Sequence, residues 1–372
     1  MRRRMMMLHR LGFQQGGGRG CLWLRQSPVS HFKTSRFRCI WRNLRCCTAS
    51  RQSFSSEEVQ RKTEDVCYFL RNLASIEPPK ETNCLVWSLV DQKKKLLDPL
   101  DRSQLHPFLV PLAVDEDSDD IICFLRWPTP PSDMPLPVVK ASCSSKTLVL
   151  LSNSAKAYVQ RYLATLEAQQ LGVSSSNHNN NHIIHYLKDL YTPGSFSKSG
   201  LTLEQFLIRD IGPFPDVYEH LATKHLELEK PQSALITCEK AAVSFPGWGR
   251  SRYFHSCVLQ KLNRLQEARD VARAALQLPL WTLNYDVFQV GSVAGFHTPE
   301  TSFPRIYRKL AEDKRQKDIE NGKPKEQVAL DRAAFLLDVA FLEDASYQDM
   351  KSLLAQLYEE ANLPDIARFV AL

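Results

Sequence analysis

The sequence predicts an α+β protein that is mainly α, with a small N-terminal α+β domain followed by an all-α domain of helical hairpins. Three observations predict it. Short apolar runs bounded by Pro and acidic turns are confined to residues 57–171, apolar positions recur at helical spacing from about Thr202 onward, and a set of small residues repeats there at an interval of 34. With 372 residues the chain is long enough for two or three folded units.

The first element is a leader. Residues 1–56 contain eleven Arg and one Lys but no Asp or Glu, and Ser and Thr gather from Ser27 onward. This is an organellar presequence pattern, expected to be disordered; MRRRMMMLHRLGFQQGGGRG breaks up before it can form the apolar stretch of a secretory signal. LRCCTAS resembles the Arg-x-Cys ends of plant chloroplast transit peptides, and the Ser-rich SRQSFSS follows it. The predicted compartment is therefore the chloroplast, in its stroma. The Arg excess over Lys keeps the mitochondrial matrix as the alternative, and a basic tail that stays attached and binds nucleic acid is the third reading.

Removing the leader changes the charge argument. The whole chain carries +7, and without its twelve leading basic residues the remainder carries about −5. Such a body has no general attraction for phosphate backbones, which argues against nucleic acid as the main partner. No run approaches the length of a membrane span, so the mature chain is expected to be soluble. Of ten cysteines, Cys67, Cys84, Cys123, Cys143, Cys238 and Cys257 follow the leader, and none forms a Cys-x-x-Cys pair. Reduced thiols are the expectation, and a regulatory disulfide cannot be paired from sequence.

The segment EEVQRKTEDVCYFLRNLASI places Val59, Val66, Phe69, Leu70 and Leu73 at helical spacing, with Ser56 positioned as its cap. After Pro78 and Pro79 the runs CLVWSLV, HPFLVPLAV, IICFLRW and LPVVKAS read as strands. KTLVLLSNSAKAYVQRYLATLEAQQ supplies one more strand and a long helix, completing the α+β domain at 57–171. Residues 172–201 contain GVSSSNHNNNH, a polar linker or insertion without periodicity. The all-α domain then occupies 202–372.

Inside that domain Ala234, Cys238 and Ala241 recur as Ala268, Ala272 and Ala275, each 34 residues later. DVYEHLATKHLELEKPQSALITCEKAAVSFP resembles a tetratricopeptide repeat through Tyr218, Leu221, Ala222 and His225 on its first helix, then Ala234, Cys238, Ala241 and Pro246. Its hairpin spans about 215–248, and a divergent second copy spans about 249–281, with Ser256 at the small position and Leu259 where the family often has Tyr. The resemblance covers roughly 65 residues, and two such units are too few for a stable stack. Flanking helices must complete it, among them QVALDRAAFLLDVAFLE with its stripe of Val328, Ala329, Ala333, Leu336, Leu337 and Phe341.

Tests for chemistry give little. His178, His182 and His185, with Asp189 nearby, have spacings that one helical face could gather around a metal, but the Asn run between the first two favours a connector. DEDSDD spaces Asp115, Asp117 and Asp119 like the start of a calcium loop, then places Asp120 at the required Gly and Arg126 at the required Glu; a solvated turn is expected. His220 and His225 point apart on one helix. No nucleotide-binding or nucleophile motif follows the leader. No cofactor and no metal are expected, and the chain is read as not an enzyme.

The tetratricopeptide resemblance implies a concave face that exposes Asp216, Glu219, Thr223 and Glu227 from one copy and Arg250, Tyr253, Cys257 and Lys261 from the next. A mixed-charge groove suits a peptide or protein partner in the organelle. The family's chaperone-tail binders carry Lys and Asn where this chain has Glu219 and Thr223, so that carboxylate clamp is not expected. Arg305, Arg308, Lys309, Lys314, Arg315 and Lys317 make one later helix basic; it is read as a solvated face, with contact to an acidic protein or a lipid surface as the alternative. The function expected is a chloroplast scaffold for protein–protein interaction, an assembly or maintenance factor for a plastid complex. An organellar RNA-binding helical-repeat protein, or an enzyme with its site in the N-terminal α+β domain, are the alternatives.

Overall fold

The computed structural model describes residues 55–131, 133–142, 146–172, 190–296 and 303–372. The leader up to position 54, Cys143, and His178, His182, His185 and Asp189 of the insertion lie outside the described residues. Helix α1 (Ser56–Tyr68) is capped by Ser55, one position before the residue expected, whose hydroxyl accepts from the Glu58 N–H. It buries Val59, Thr63 and Val66 and continues as a π turn at Phe69–Leu73.

CLVWSLV, expected as a strand, is helical. It lies in α2 (Thr82–Asp91), whose buried residues include Thr82, Leu85, Val86 and Leu89. Those four share one helical face, and a short apolar run carries too few turns for its period to reveal this. Ser88, buried beside them, satisfies its hydroxyl on the Leu85 carbonyl at 2.7 Å, a bond local to the helix.

The other runs form strands as expected. β1 (Lys95–Leu96), β2 (Leu109–Asp115), β3 (Asp120–Leu125), β4 (Val138–Ala141) and β5 (Leu148–Ser152) make an antiparallel meander in chain order. The acidic loop joins β2 to β3 as a turn, with Lys94 on Asp115 at 2.6 Å and Lys140 on Asp120 at 2.8 Å. Pro111 sits where the β2–β3 register shifts, so the residue without an N–H falls at a bulge. Helix α3 (Ala155–Gly172) follows and packs on α2. The described end of the insertion carries α4 (Ser195–Ser199), and α5 (Leu203–Phe206) runs into a second π turn at Leu207–Ile211.

The helical half is a series of hairpins: α6 (Pro215–Glu227) with α7 (Pro231–Ser244), α8 (Gly249–Lys261) with α9 (Leu265–Ala275), and, after a 3₁₀ turn at Leu280–Thr282 and α10 (Val287–Val293), α11 (Phe303–Glu320), α12 (Lys325–Leu342), α13 (Tyr347–Glu360) and α14 (Pro364–Ala371). One turn recurs between successive helices. Glu229, Asn263, Gly322, Asp344 and Asn362 are all left-handed, with φ between 53° and 68°. In each case the next N–H returns to the carbonyl five residues back, as Lys230 does to His225 and Arg264 to Leu259. The last helical carbonyls are thus satisfied inside the turn.

Short side chains line the first two hairpins. Ala222, Ala234, Cys238 and Ala268 form one core with Val258 and Leu259, while Ala272 and Ala275 join the next with Tyr253. Ser256, wholly buried, donates to the Ala268 carbonyl at 2.7 Å. The expected stripe on α12 is buried at Ala329, Ala333 and Leu337.

All described residues belong to one compact unit. Its two halves meet at an aromatic seam, where Trp127 lies 5.3 Å from Trp281 and the buried His106 4.5 Å from the same ring. Arg102, 3% exposed, donates to the carbonyls of Leu109, Pro107 and Phe369, and its guanidinium lies 4.0 Å over the Phe369 ring. Arg126 reaches the Ala74 carbonyl and lies 5.3 Å from the same ring. Among the described residues no helix is long and apolar enough to cross a membrane.

Candidate functional site

Helix α6 begins at Pro215, a residue suited to the first helical position because its missing N–H needs no partner there. From that start Asp216, Glu219, Thr223 and Glu227 follow at three- and four-residue steps along one face. Helix α8 carries Arg250, Tyr253, Cys257 and Lys261 at the same kind of spacing. The structure brings the centres of the two rows together. Arg250 donates through Nε and Nη2 to both oxygens of Glu219, at 2.6 and 2.7 Å.

That pair is largely covered, with side-chain exposures of 22% for Arg250 and 15% for Glu219. Burial opposes the Arg250 charge, but the hydrogen bonds and charge of Glu219 outweigh it and raise its pKa. Over the pair lies Tyr285, which sequence reasoning missed. Its ring is 5.5 Å from the Arg250 guanidinium and meets Tyr253 edge-on at 4.8 Å. Tyr285 belongs to the loop after the 3₁₀ turn, outside the repeated pattern, so the 34-residue spacing could not point to it.

Tyr253, expected on the exposed face, is buried at 5% exposure beneath Tyr285. A Tyr on the inner turn of a helix presents enough apolar surface to be drawn under the neighbouring ring. Cys257, half-buried, neighbours Tyr253, and burial pushes its thiol up. Cys238 on α7 is pushed by burial up to about 12. Protonated thiols are poor nucleophiles and poor metal ligands.

Asp216 is also engaged within the chain. Arg161 of α3 donates to both of its oxygens, at 2.9 and 2.5 Å, and the guanidinium lies 4.9 Å over Phe214. Thr223 donates to the Glu219 carbonyl of its own helix. Glu227 and Lys261, at the far end of each row, are exposed. The face is therefore a covered ionic centre, closed at one end by Arg161 and open at the other.

The two histidines of α6 differ. His220 is exposed and 3.5 Å from Glu204, whereas His225 buries Nδ1 without a described partner. On α11 the six basic residues are exposed and only Phe303 is buried. Arg308 pairs with Glu343 and Arg315 with Glu312.

Family models match the chain in three successive blocks, PAB N-terminal over 64–210, PAB middle domain over 215–297 and PAB C-terminal domain over 304–372. The chain is also 30% identical to the Arabidopsis thaliana protein "IN CHLOROPLAST ATPASE BIOGENESIS, chloroplastic" over 348 residues, covering 92% of this chain and 94% of that one. The chain belongs to the PAB family. It is a chloroplast protein. The ionic face lies wholly within the PAB middle domain, while Arg161 reaches it from the PAB N-terminal block. No solved structure matches the chain.

Proposed function

We propose that this PAB-family chain is an assembly factor for the chloroplast ATPase and works as a scaffold that binds a protein partner, without catalysing a reaction. The observation that carries the reading is likeness along nearly the whole of both chains to a relative named for that process. The helical hairpins, with their 34-residue offset and buried alanines, support a tetratricopeptide-like stack, an architecture suited to holding another polypeptide.

The chemistry of the site favours binding. Asp216 and Glu219 are each locked on an arginine and Cys257 is held as the thiol, so the face offers shape and charge in place of a free base or nucleophile. A partner would enter from the open end, past Glu227 and Lys261, in the stroma once the leader has served as a transit peptide.

A plant lacking the protein should lose chloroplast ATPase while its other thylakoid complexes persist, and the wild-type chain should restore it. Unchanged ATPase abundance would overturn the biogenesis reading. Full rescue by a Glu227→Lys, Lys261→Glu chain would move the docking surface elsewhere.

A further inference from the structure

Helix α13 carries a buried cation that the fold does not neutralise. Lys351 is 6% exposed. Burial and then the like charge of Arg102 hold its pKa below the usual lysine range, and among the described residues no carboxylate offsets them. The stem of Lys351 is covered while its ammonium is partly desolvated at the recess without a counter-charge, an arrangement that costs free energy. An anion that arrives from outside therefore gains more here than at an exposed lysine.

Lys351 lines a recess of about 440 Å³, and Gln348, Ser352 and Gln356 line it with one amide or hydroxyl per turn of α13. A second recess of about 380 Å³, lined by Asn72 and Arg368 among others, shares Ala371 with the first. The two recesses adjoin at Ala371, near the end of α14.

We propose that the first recess binds an extended acidic segment of a protein partner, one carboxylate of which neutralises Lys351. Open to solvent and lined along about three turns of α13, it suits a peptide better than an enclosed small molecule. Helical residues four apart rise about 6 Å and alternate residues of an extended chain about 6.6 Å, so alternate side chains of the segment can meet Gln348, Ser352 and Gln356 in turn. Glu359, at the far end of the same recess, sets the direction by repelling a carboxylate placed there. This surface lies on the last two helices, apart from the Glu219–Arg250 face.

The test uses the full chain and a fluorescein-labelled peptide in which a single Glu is flanked by Ala and Gln, read by anisotropy. The Glu peptide should bind, and both the Gln version of the peptide and Lys351→Met should weaken binding at least about tenfold, while Lys351→Arg retains most of it. A zero-length carbodiimide crosslink should attach the peptide at Lys351. Equal binding by a folded Lys351→Met chain overturns the proposal. So does displacement of the peptide by millimolar inorganic phosphate, which would assign the site to a free anion. Should Lys351→Met fail to fold, the wild-type crosslink decides, since attachment only at other lysines overturns the assignment.

Discussion

Between Pro215 and Ala275 the helices meet where their side chains are shortest, whereas at the seam between the sheet and the last helix they meet through some of the longest side chains a protein has. In the hairpins Ala222, Ala234, Cys238 and Ala268 let two backbones approach, and partners along the chain lie a few turns apart. At the seam Arg102 spans 267 positions to the carbonyl of Phe369. Close packing of small residues is cheap to specify and can recur wherever a helix pair recurs. A buried guanidinium gives one register only, because its planar donors must find their carbonyls. The seam thus fixes how the halves dock, and the hairpins fix how one half is built.

The strongest way to break this contrast is Arg102→Ala. Three buried carbonyls lose a donor and the Phe369 ring loses its cation, so stability in urea should fall by about 3–5 kcal/mol, with Arg102→Lys restoring part of it. A loss below about 1 kcal/mol would show that apolar contacts hold the seam by themselves. The hairpins should fail for the opposite reason. Ala234 and Ala272 are both fully buried, and replacing either with Leu should cost about 3 kcal/mol through overpacking. A tolerated Ala272→Leu would mean that these helices can move apart.

The two regions also differ in how much of them the sequence reveals. The hairpins could be read because their determinant is a type of residue at a fixed interval, and even the left-handed turns obey it, Glu229 and Asn263 standing 34 positions apart. Strands β2 to β5 were legible from apolar runs between Pro and acidic turns, whereas CLVWSLV was not, because a run of that length fits either period. Arg102 and Arg126 carried no signal of burial in the sequence, since nothing local marks a cation whose acceptor is a carbonyl distant along the chain. The ionic face was half legible. The tetratricopeptide resemblance put Glu219 and Arg250 on one concave face, but Arg161 and Tyr285 come from other elements and cover it.

A pH titration sharpens the contrast on the seam side. Asp338 accepts from the Leu280 N–H at 2.7 Å and bonds the Tyr307 hydroxyl at 2.6 Å, tying α11, α12 and the 3₁₀ turn together. Burial nonetheless pushes its carboxyl up to about 7. Because the folded chain holds this proton more tightly than the unfolded one, the stability it contributes is complete at low pH and is lost as pH rises to about 7. His106 has the opposite sign. Burial, reinforced by Arg102, depresses its pKa to about 3, so its contribution is present above the ordinary histidine range and is lost as pH falls toward 3. Asp338→Asn, a neutral isostere, should leave stability nearly unchanged near pH 4 and raise it by about 4 kcal/mol at pH 8. A gain independent of pH would mean that the carboxyl is not protonated in the fold.

The smallest effect on stability is expected where the effect on function should be largest. Glu227 and Lys261 are both solvated at the open end of the hairpin face, so exchanging their charges should change stability by less than about 0.5 kcal/mol. Capture of chloroplast ATPase subunits from a stromal extract, compared quantitatively with the wild-type chain, should fall about tenfold if a partner enters past them. Arg102 variants cannot make this distinction, because a chain whose halves come apart loses its surfaces along with its fold. A swapped chain that melts like wild type isolates the contact, and undiminished capture by it would leave the hairpin face as internal architecture alone.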